Sequence, residues 1–503
     1  MVSDTAVACN VLKSLKIFSR LFNKYTLNRI NTECYGCLRG QVVVYLFYHK
    51  QKHQNLEPRM FILHDIFEKL KNEFPQSNKA QERSTWFVYT IIAIIVPFTS
   101  SKTSNILRCL KTLFGFDWIR RKRFYTFMAS PKIPWRRLWL TLWNMIPQPL
   151  TGGRLLLALD DYINPKTGKK VFGCAKIFDH AAKQNQSKYP WAQNIVAVGL
   201  LKMIKGRWAC LPMGYRFYHL KKSIEQMNRD GNAPKLEFKS KLAMAVEMIT
   251  QIAEVFRKTR IIVTTDSWFG NDGLWKPLNE RLGIWVDMIS RLRSNNNLFE
   301  LPAPQLTRRP GRPRKYGKKL GSASSLAVRF RPLAKEYGVN LYGRNRTVIA
   351  YDRVVMLKTI RCAVKVVWVY RQTQWVALYS TDLTLSVRQI IEYYGARWKI
   401  EAFFKELKRD IGSAETQTRH PQAVTNHLHF CMMATAVAWI YASRVEKTPT
   451  RRHAVDGRHH FAFSDVRRSV AKAALDDNFS RFFPVQSKTV VNSLVEVLLR
   501  MAA

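Results

Sequence analysis

Short apolar runs that end in acidic residues alternate with amphipathic stretches through the middle of the chain. The run Leu155–Leu159 leads directly into Asp160, and Arg260–Thr265 leads into Asp266, so each acid is predicted to end a buried strand. Further strands are predicted at 194–201, 208–218 and 283–290, and helices at 236–256, 274–282 and from 386 to 444. Strands and helices in alternation predict an α/β domain with a mixed sheet and flanking helices.

The chain before this pattern is predicted to be largely helical. The apolar stretch Trp86–Phe98 is too short to span a bilayer and is predicted to be a buried helix. Residues 101–128 are interpreted as a helix, a break at Gly115 and a second, basic helix, which is the pattern of a DNA-binding helix-turn-helix. The second helix supplies the predicted DNA contacts Arg120, Arg121 and Arg123. An ordinary helical hairpin with a solvated basic face would show the same pattern.

A second region of different character interrupts the alternation. Residues 301–325 are rich in Pro, Gly and basic residues and predict a loop, and strands are predicted at 348–351, 354–357, 363–370 and 374–379. We therefore divide the chain into a helical N-terminal region at 1–150, an α/β domain at 151–445 with a β-rich insertion at about 295–382, and a basic C-terminal region at 446–503, with a helix predicted at 490–501.

Charge is the unusual feature of the composition. The 503 residues include 82 Lys and Arg but only 35 Asp and Glu, a formal net charge of +47. This excess favours binding to a polyanion such as DNA. The loop around Arg312 and Arg314 predicts phosphate or minor-groove contacts. We expect no membrane span, no signal peptide and a cytoplasmic location, and Cys34 and Cys37 lack the second pair that a zinc finger needs.

The most informative stretch is the predicted helix at 393–411. At 100° per residue, Tyr394, Arg397, Glu401 and Lys408 fall within about 60° of one another, and Lys405 borders them. One carboxylate would then lie among cations on a face separate from the apolar stripe. Solvated salt bridges explain such a face equally well when it is considered alone.

Carboxylates elsewhere in the chain change this assessment. Three carboxylates from two strand ends and one helix, namely Asp160 or Asp161, Asp266 and Glu401, can hold two Mg²⁺ ions, for which Mn²⁺ could substitute. Two such ions can activate a nucleophile and stabilise the leaving oxygen of a phosphodiester. Each aspartate taken singly could instead be an ordinary turn or N-cap residue.

The spacing of Tyr394, Arg397, Glu401 and Lys408 resembles the YREK signature of bacterial insertion-sequence DDE transposases of the IS-four-like superfamily. The Asp266-Ser-Trp-Phe-Gly segment resembles the second-Asp motif of that family, and LALDDYINPKTGKK resembles its first-Asp motif. The resemblance implies a ribonuclease-H-like fold over roughly 150–445, with Asp266, Glu401 and either Asp160 or Asp161 as metal ligands. It also implies phosphate contacts from Tyr394, Arg397 and Lys408.

Three functions are consistent with this pattern. The resemblance implies a transposase that cleaves at terminal inverted repeats and joins the freed 3′-OH ends to target DNA, and we expect a homodimer in the active complex. A metal-dependent nuclease of the same fold, or a non-catalytic DNA-binding regulator, would use many of the same residues. Trp268, Trp368 and Trp375 are candidates for holding a flipped base, although aromatic residues in strands commonly belong to the core.

Overall fold

The computed structural model describes residues 61–97, 100–180, 182–230, 236–303, 314–452 and 460–475. The Cys34–Cys37 pair, Arg312 and the helix predicted at 490–501 lie outside these residues. None of the described helices has both the length and the apolar character needed to cross a membrane.

In the described part of the chain, five helices precede the sheet. The first is helical over 61–71 (α1) and is followed by α2 (Asn78–Ile95), α3 (Thr103–Phe114), α4 (Arg121–Met128) and α5 (Trp135–Asn144). The apolar stretch predicted as a buried helix forms most of α2, in which every residue from Trp86 to Ile95 is buried. Gly115 ends α3 in a left-handed conformation with φ 65°, as expected of a helix C-cap. The second helix of the predicted pair starts later than expected, at Arg121.

The strands of the described residues form one twelve-stranded mixed sheet. Its first half contains β1 (Arg154–Pro165), β2 (Cys174–Lys176), β3 (Trp191–Ile204), β4 (Arg207–Tyr218), β5 (Arg260–Thr264) and β6 (Val286–Arg291). The helices α6 (Lys221–Asp230), α7 (Lys241–Val255) and α8 (Asp272–Leu282) connect the later strands.

The spatial order of the first five long strands is β4-β3-β1-β5-β6. The β1–β5 and β5–β6 pairs are parallel, and the β1–β3 and β3–β4 pairs are antiparallel. This mixed sheet with flanking helices is consistent with a ribonuclease-H-like DDE fold. The predicted strand end at Asp160 is wrong, because β1 continues through Asp160 and Asp161 to Pro165, paired with β3 along its length.

The insertion extends the same sheet. It contributes β7 (Asn297–Phe299), β8 (Lys319–Ser322), β9 (Lys335–Leu341), β10 (Arg344–Leu357), β11 (Cys362–Arg371) and β12 (Gln374–Ser380), and β12 pairs with β6. The two strands predicted at 348–351 and 354–357 are one strand, β10. The insertion also contains a helix, α9 (Ala323–Phe330), which packs within it and fills the core beside Trp368.

The helices that follow the insertion in the described residues return to the sheet and add to its core. They are α10 (Val387–Arg397), α11 (Lys399–Lys405), a π-helical turn (Glu406–Asp410), α12 (Pro421–Arg444) and α13 (Phe463–Ala474). The predicted single helix over 393–411 is therefore wrong: a break at Trp398 and the π turn divide it. A π turn takes more residues per turn than an α-helix, so a constant 100° per residue does not hold as far as Lys408.

Candidate active site

The neighbouring aspartates of β1 point to opposite faces of the sheet, as successive strand residues must. An Oδ of Asp160 accepts a hydrogen bond from Nη1 of Arg397 at 3.1 Å. The Asp161 carboxylate accepts hydrogen bonds from Nζ of Lys241 at 2.8 Å and from Nδ2 of Asn194 at 2.9 Å. The structure therefore places Asp160 on the side of α10 and Asp161 on the side of α7.

Asp266 lies beside Asp160 because their strands are parallel neighbours. The register pairs Ala158 with Thr264, so the positions two residues further along are Asp160 and Asp266. Adjacent strands lie about 4.8 Å apart, which brings the two acids to the same edge of the sheet. For β5 the predicted strand end is confirmed, because the strand ends at Thr264 and Asp266 follows two residues later.

The turn after β5 fixes one oxygen of Asp266. Its Oδ1 accepts from the backbone N–H groups of Trp268 at 3.0 Å and Phe269 at 2.9 Å. Ser290 Oγ donates to the backbone carbonyl of Asp266 at 2.7 Å, and a Cβ at Gly270 would lie only 2.2 Å from that same Oγ. A glycine is therefore required at 270, and the turn is fastened to β6.

Arg397 joins the helix carboxylate to the strand carboxylate. Its Nη2 lies 3.3 Å from Oε1 of Glu401 while its Nη1 bonds Asp160. The Arg397 side chain is 7% exposed, Asp160 19% and Glu401 38%, so the cluster opens toward solvent on the Glu401 side. The rings of Tyr394 and Trp398 flank the guanidinium, with centroids 5.6 and 5.9 Å from its Cζ.

Burial and mutual repulsion both act on these acids. Burial raises the pKa of Asp160 to about 7, the Arg397 charge opposes this rise, and the Asp266 and Asp161 charges add to it. Burial also raises the pKa of Glu401, with Arg397 opposing and Asp266 adding. Asp266 is thus close enough to act on both other carboxylates, and the three form one electrostatic cluster that a cation stabilises.

In the part of the chain described here, no group of three or more His, Cys, Asp or Glu side chains is placed to hold a metal ion as it stands. Arg397 supplies the positive charge between Asp160 and Glu401. The carboxylate oxygens are nonetheless the donors that Mg²⁺ prefers. The three carboxylates therefore have the ligand chemistry that a divalent ion needs. To bind one, Asp160 and Glu401 must exchange their bonds to Arg397 for bonds to the ion.

The remaining residues of the predicted helical face are spread over different surroundings. Tyr394 is half-buried beside Arg397, whereas Lys405 is exposed. Lys408 lies in the π turn with its Nζ 5.4 Å from the ring centroid of Tyr162, and burial lowers its pKa. Within this set, Arg397 contacts both Glu401, through the ion pair, and Tyr394, through its ring.

The arginines predicted to contact DNA outside the site differ in their ion-pair partners, ring contacts and exposure. Arg123 pairs with Glu82 at 2.7 Å and lies over the rings of Trp86 and Trp118. Arg120 precedes α4 and is exposed, Arg121 lies over Tyr125, and Arg314 is exposed.

The three tryptophans that are candidates for holding a flipped base differ in burial. Trp368 is fully buried and donates its indole N–H to the carbonyl of Ala323, so it belongs to the core. Trp375 is half-buried, whereas Trp268 is 44% exposed next to Asp266.

Sequence reasoning missed Lys241, whose Nζ lies between Asp161 and the rings of Tyr218 and Trp268. Its position in the first turn of an amphipathic helix carries no sign of that contact. A cavity of about 510 Å³ was missed as well; it lies between the Asp266 turn and the insertion, and its cationic lining is Arg291, Arg293 and Lys358.

Comparison with known proteins agrees with this geometry. A search of curated proteins found no match to the chain. A family model described as DDE superfamily endonuclease matches residues 73–340, which is more than half of the chain and includes Asp160, Asp161 and Asp266. The match ends before Glu401. The chain therefore belongs to the DDE superfamily endonuclease family.

Proposed function

We propose that this protein is a DNA transposase that cleaves at the terminal repeats of its element and joins the 3′-OH ends to target DNA. The observation that carries the proposal is the convergence around Arg397 of Asp160 and Glu401, with Asp266 at the same edge of the sheet. Membership of an endonuclease family and a net charge of +47 support a DNA substrate.

Asp160, Asp266 and Glu401 are the residues that would hold two Mg²⁺ ions, or Mn²⁺ in their place. When bound, the ions supply activation of the attacking oxygen and stabilisation of the leaving oxygen. Asp161 is the weaker candidate for this set, because its carboxylate already accepts hydrogen bonds from Lys241 and Asn194 on the other face of the sheet.

We assign Arg397 two successive partners. Without DNA it neutralises Asp160 and Glu401, and when the acids take up cations it is released toward a phosphate of the bound strand. Tyr394 flanks it, and we assign Tyr394, Lys405 and Lys408 to contacts with the same DNA backbone. A guanidinium suits this exchange because its planar fork bonds carboxylates and phosphates with similar geometry.

Two successive substitutions at phosphorus complete the reaction. In the first, water attacks the phosphodiester at the element's end, and the bond to the 3′ oxygen breaks to leave a 3′-OH. In the second, that 3′-OH attacks a phosphodiester of the target, forms a new bond and displaces a target 3′ oxygen. One site can serve both steps, because each exchanges one P–O bond for another.

The test is an assay with labelled duplexes that carry the element's terminal repeats, taken from the DNA that flanks the gene. Wild-type protein with Mg²⁺ should cleave them and produce joined products with a target plasmid, and Glu401→Gln should do neither. Cleavage without any joined product would favour a nuclease. This alternative is consistent with the family, which is described as an endonuclease family. Equal binding by both proteins without cleavage would refute the enzymatic proposal. The mass of the end-DNA complex tests the expected homodimer.

A further inference from the structure

A second concave surface lies away from the carboxylate cluster, between the N-terminal helices and the start of α12. It is a cavity of about 730 Å³ whose walls come from α4, the loop at 129–132 and the segment at 417–423. Its lining includes Lys122 from α4, Lys132 from the loop and Arg419 from the third segment. The lining includes cations from all three walls and no carboxylate.

A buried asparagine fixes the walls of this cavity to one another. Asn426, in α12, is fully buried, and its Nδ2 donates to the carbonyls of Met128 at 2.9 Å and Ser130 at 2.8 Å. Its Oδ1 accepts from Nε1 of Trp135 at 2.7 Å. Because both polar atoms of Asn426 are bonded, α4, the following loop and α12 are held in one arrangement.

The third wall is connected to α11, the helix that carries Glu401. The segment at 411–420 directly follows the π turn after α11, and buried Lys166 donates to the carbonyls of Ala414 and Thr416. The backbone N–H of Gly168 donates to Gln417 at 3.2 Å. A polyanion bound in the cavity would therefore be held at a set position relative to Glu401.

The cations of the cavity are available to a ligand. Lys122, Lys132 and Arg419 are exposed, and none has a carboxylate partner among the described residues. Their neighbour Arg123, in contrast, is engaged with Glu82. The 24-residue helix α12 also begins here, and its N-terminal end adds partial positive charge.

We propose that this surface, formed by Lys122, Lys132 and Arg419, binds the phosphate backbone of duplex DNA and orients it toward the carboxylate cluster. The proposal rests on the proposed function, since it requires DNA as the substrate. Three cations from three separate walls match a backbone that passes through a concave surface and offers a regular series of phosphates. On this proposal the DNA-facing side of α4 presents Lys122, whereas Arg123 pairs with Glu82.

The experiment replaces the three cations together by glutamine (Lys122→Gln, Lys132→Gln, Arg419→Gln). The matched control removes three exposed cations that precede β5 and β6 in the sequence (Arg257→Gln, Lys258→Gln, Arg281→Gln). The beginnings of these strands lie at the end opposite to the one that carries Asp266. Both variants lower the net charge by the same amount. Dissociation constants for terminal-repeat duplexes are measured against salt concentration for the full-length proteins, and thermal unfolding confirms that each is folded.

Loss of three phosphate contacts should lower the slope of log K against log[salt] by up to about 2.7, at about 0.9 per contact, while the control keeps the wild-type slope. A triple variant with the slope of the control overturns the inference, even when wild-type protein cleaves DNA normally. If wild-type protein neither binds nor cleaves the duplex, the proposed function fails and this inference fails with it. Hydroxyl-radical footprinting gives a second readout, because the triple variant should lose a discrete patch of backbone protection.

Discussion

The two neighbouring aspartates of β1 allow a direct test of the proposed catalytic set. Asp160→Asn removes the negative charge that faces Arg397, Glu401 and Asp266. Asp161→Asn leaves the Asp160, Glu401 and Asp266 carboxylates in place and weakens the bonds to Lys241 and Asn194 on the other face of the sheet. The two substitutions have the same chemistry and occupy adjacent positions, so each serves as the control for the other.

The expected effects differ by orders of magnitude. A bound metal ion contributes several kcal/mol to the stabilisation of transition-state charge, and this contribution depends on the carboxylates that hold the ion. A loss of about 4 kcal/mol corresponds to about a thousandfold decrease in rate. The amide oxygen introduced by Asp161→Asn would still accept a hydrogen bond from Lys241, so that variant loses only the difference between a charge-assisted and a neutral hydrogen bond, about 1 kcal/mol of stability. Even if all of that loss appeared in the activation barrier, its cleavage rate would fall by no more than about tenfold.

The assay is single-turnover cleavage of a terminal-repeat duplex in Mg²⁺, with duplex affinity measured on the same preparations. Asp160→Asn should retain affinity and lose cleavage, and Asp161→Asn should retain both. The reverse order of activities would assign the first metal ligand to Asp161 and refute our reasoning from strand orientation. Equal and complete loss in both variants would show that the Asp161–Lys241 pair is as necessary as the proposed ligand.

Three further predictions concern single side chains. Glu401→Gln should abolish cleavage and retain or tighten DNA binding, because it removes a negative charge that faces phosphates; weaker binding in a gel-shift titration would contradict this. Lys408→Ala should lower the slope of log K against log[salt] for end-DNA binding by about 0.9. An unchanged slope would show that Lys408 contacts the Tyr162 ring but no phosphate. Burial raises the pKa of Glu406 from 4.5 to about 7 against the opposing charge of Arg207. Between these values the folded protein retains a proton that the unfolded chain releases, so this group lowers stability as pH rises, and Glu406→Gln should reduce the fall of the unfolding midpoint from pH 5 to 7. An equal fall in both proteins would show that another group controls it.

Local patterns in the chain were sufficient to predict most of the secondary structure. Apolar runs at 260–265 and 363–370 and the amphipathic stretch at 236–256 form β5, β11 and α7 because burial of a continuous or periodic apolar surface depends on neighbouring residues alone. The same local reasoning placed an acid after β5 and a carboxylate four residues beyond Arg397. The charge excess, which is a property of composition, indicated a polyanionic partner without any structure.

Local patterns failed where backbone conformation depends on packing. The acids after Leu159 were expected to end β1, yet pairing with β3 carries the strand on to Pro165. The stretch at 393–411 was expected to be one helix, yet it breaks at Trp398 and continues as a π turn at 406–410. Arg467, from α13, donates to the carbonyl of Asp410 at the end of that turn, and a contact from 57 residues away leaves no trace in the periodicity of the stretch itself.

The identity of the site depended on tertiary structure for a related reason. Strand alternation implies that Asp160 and Asp161 face opposite sides, but only the packing of α10 and α7 on the sheet determines which side meets Arg397 and which meets Lys241. The spacing of a helix likewise places Arg397 beside Glu401, whereas its bond to Asp160 joins residues 237 positions apart. Charges and apolar periods are local properties of a chain, but the partner of a buried charge is decided by the elements that fold against it.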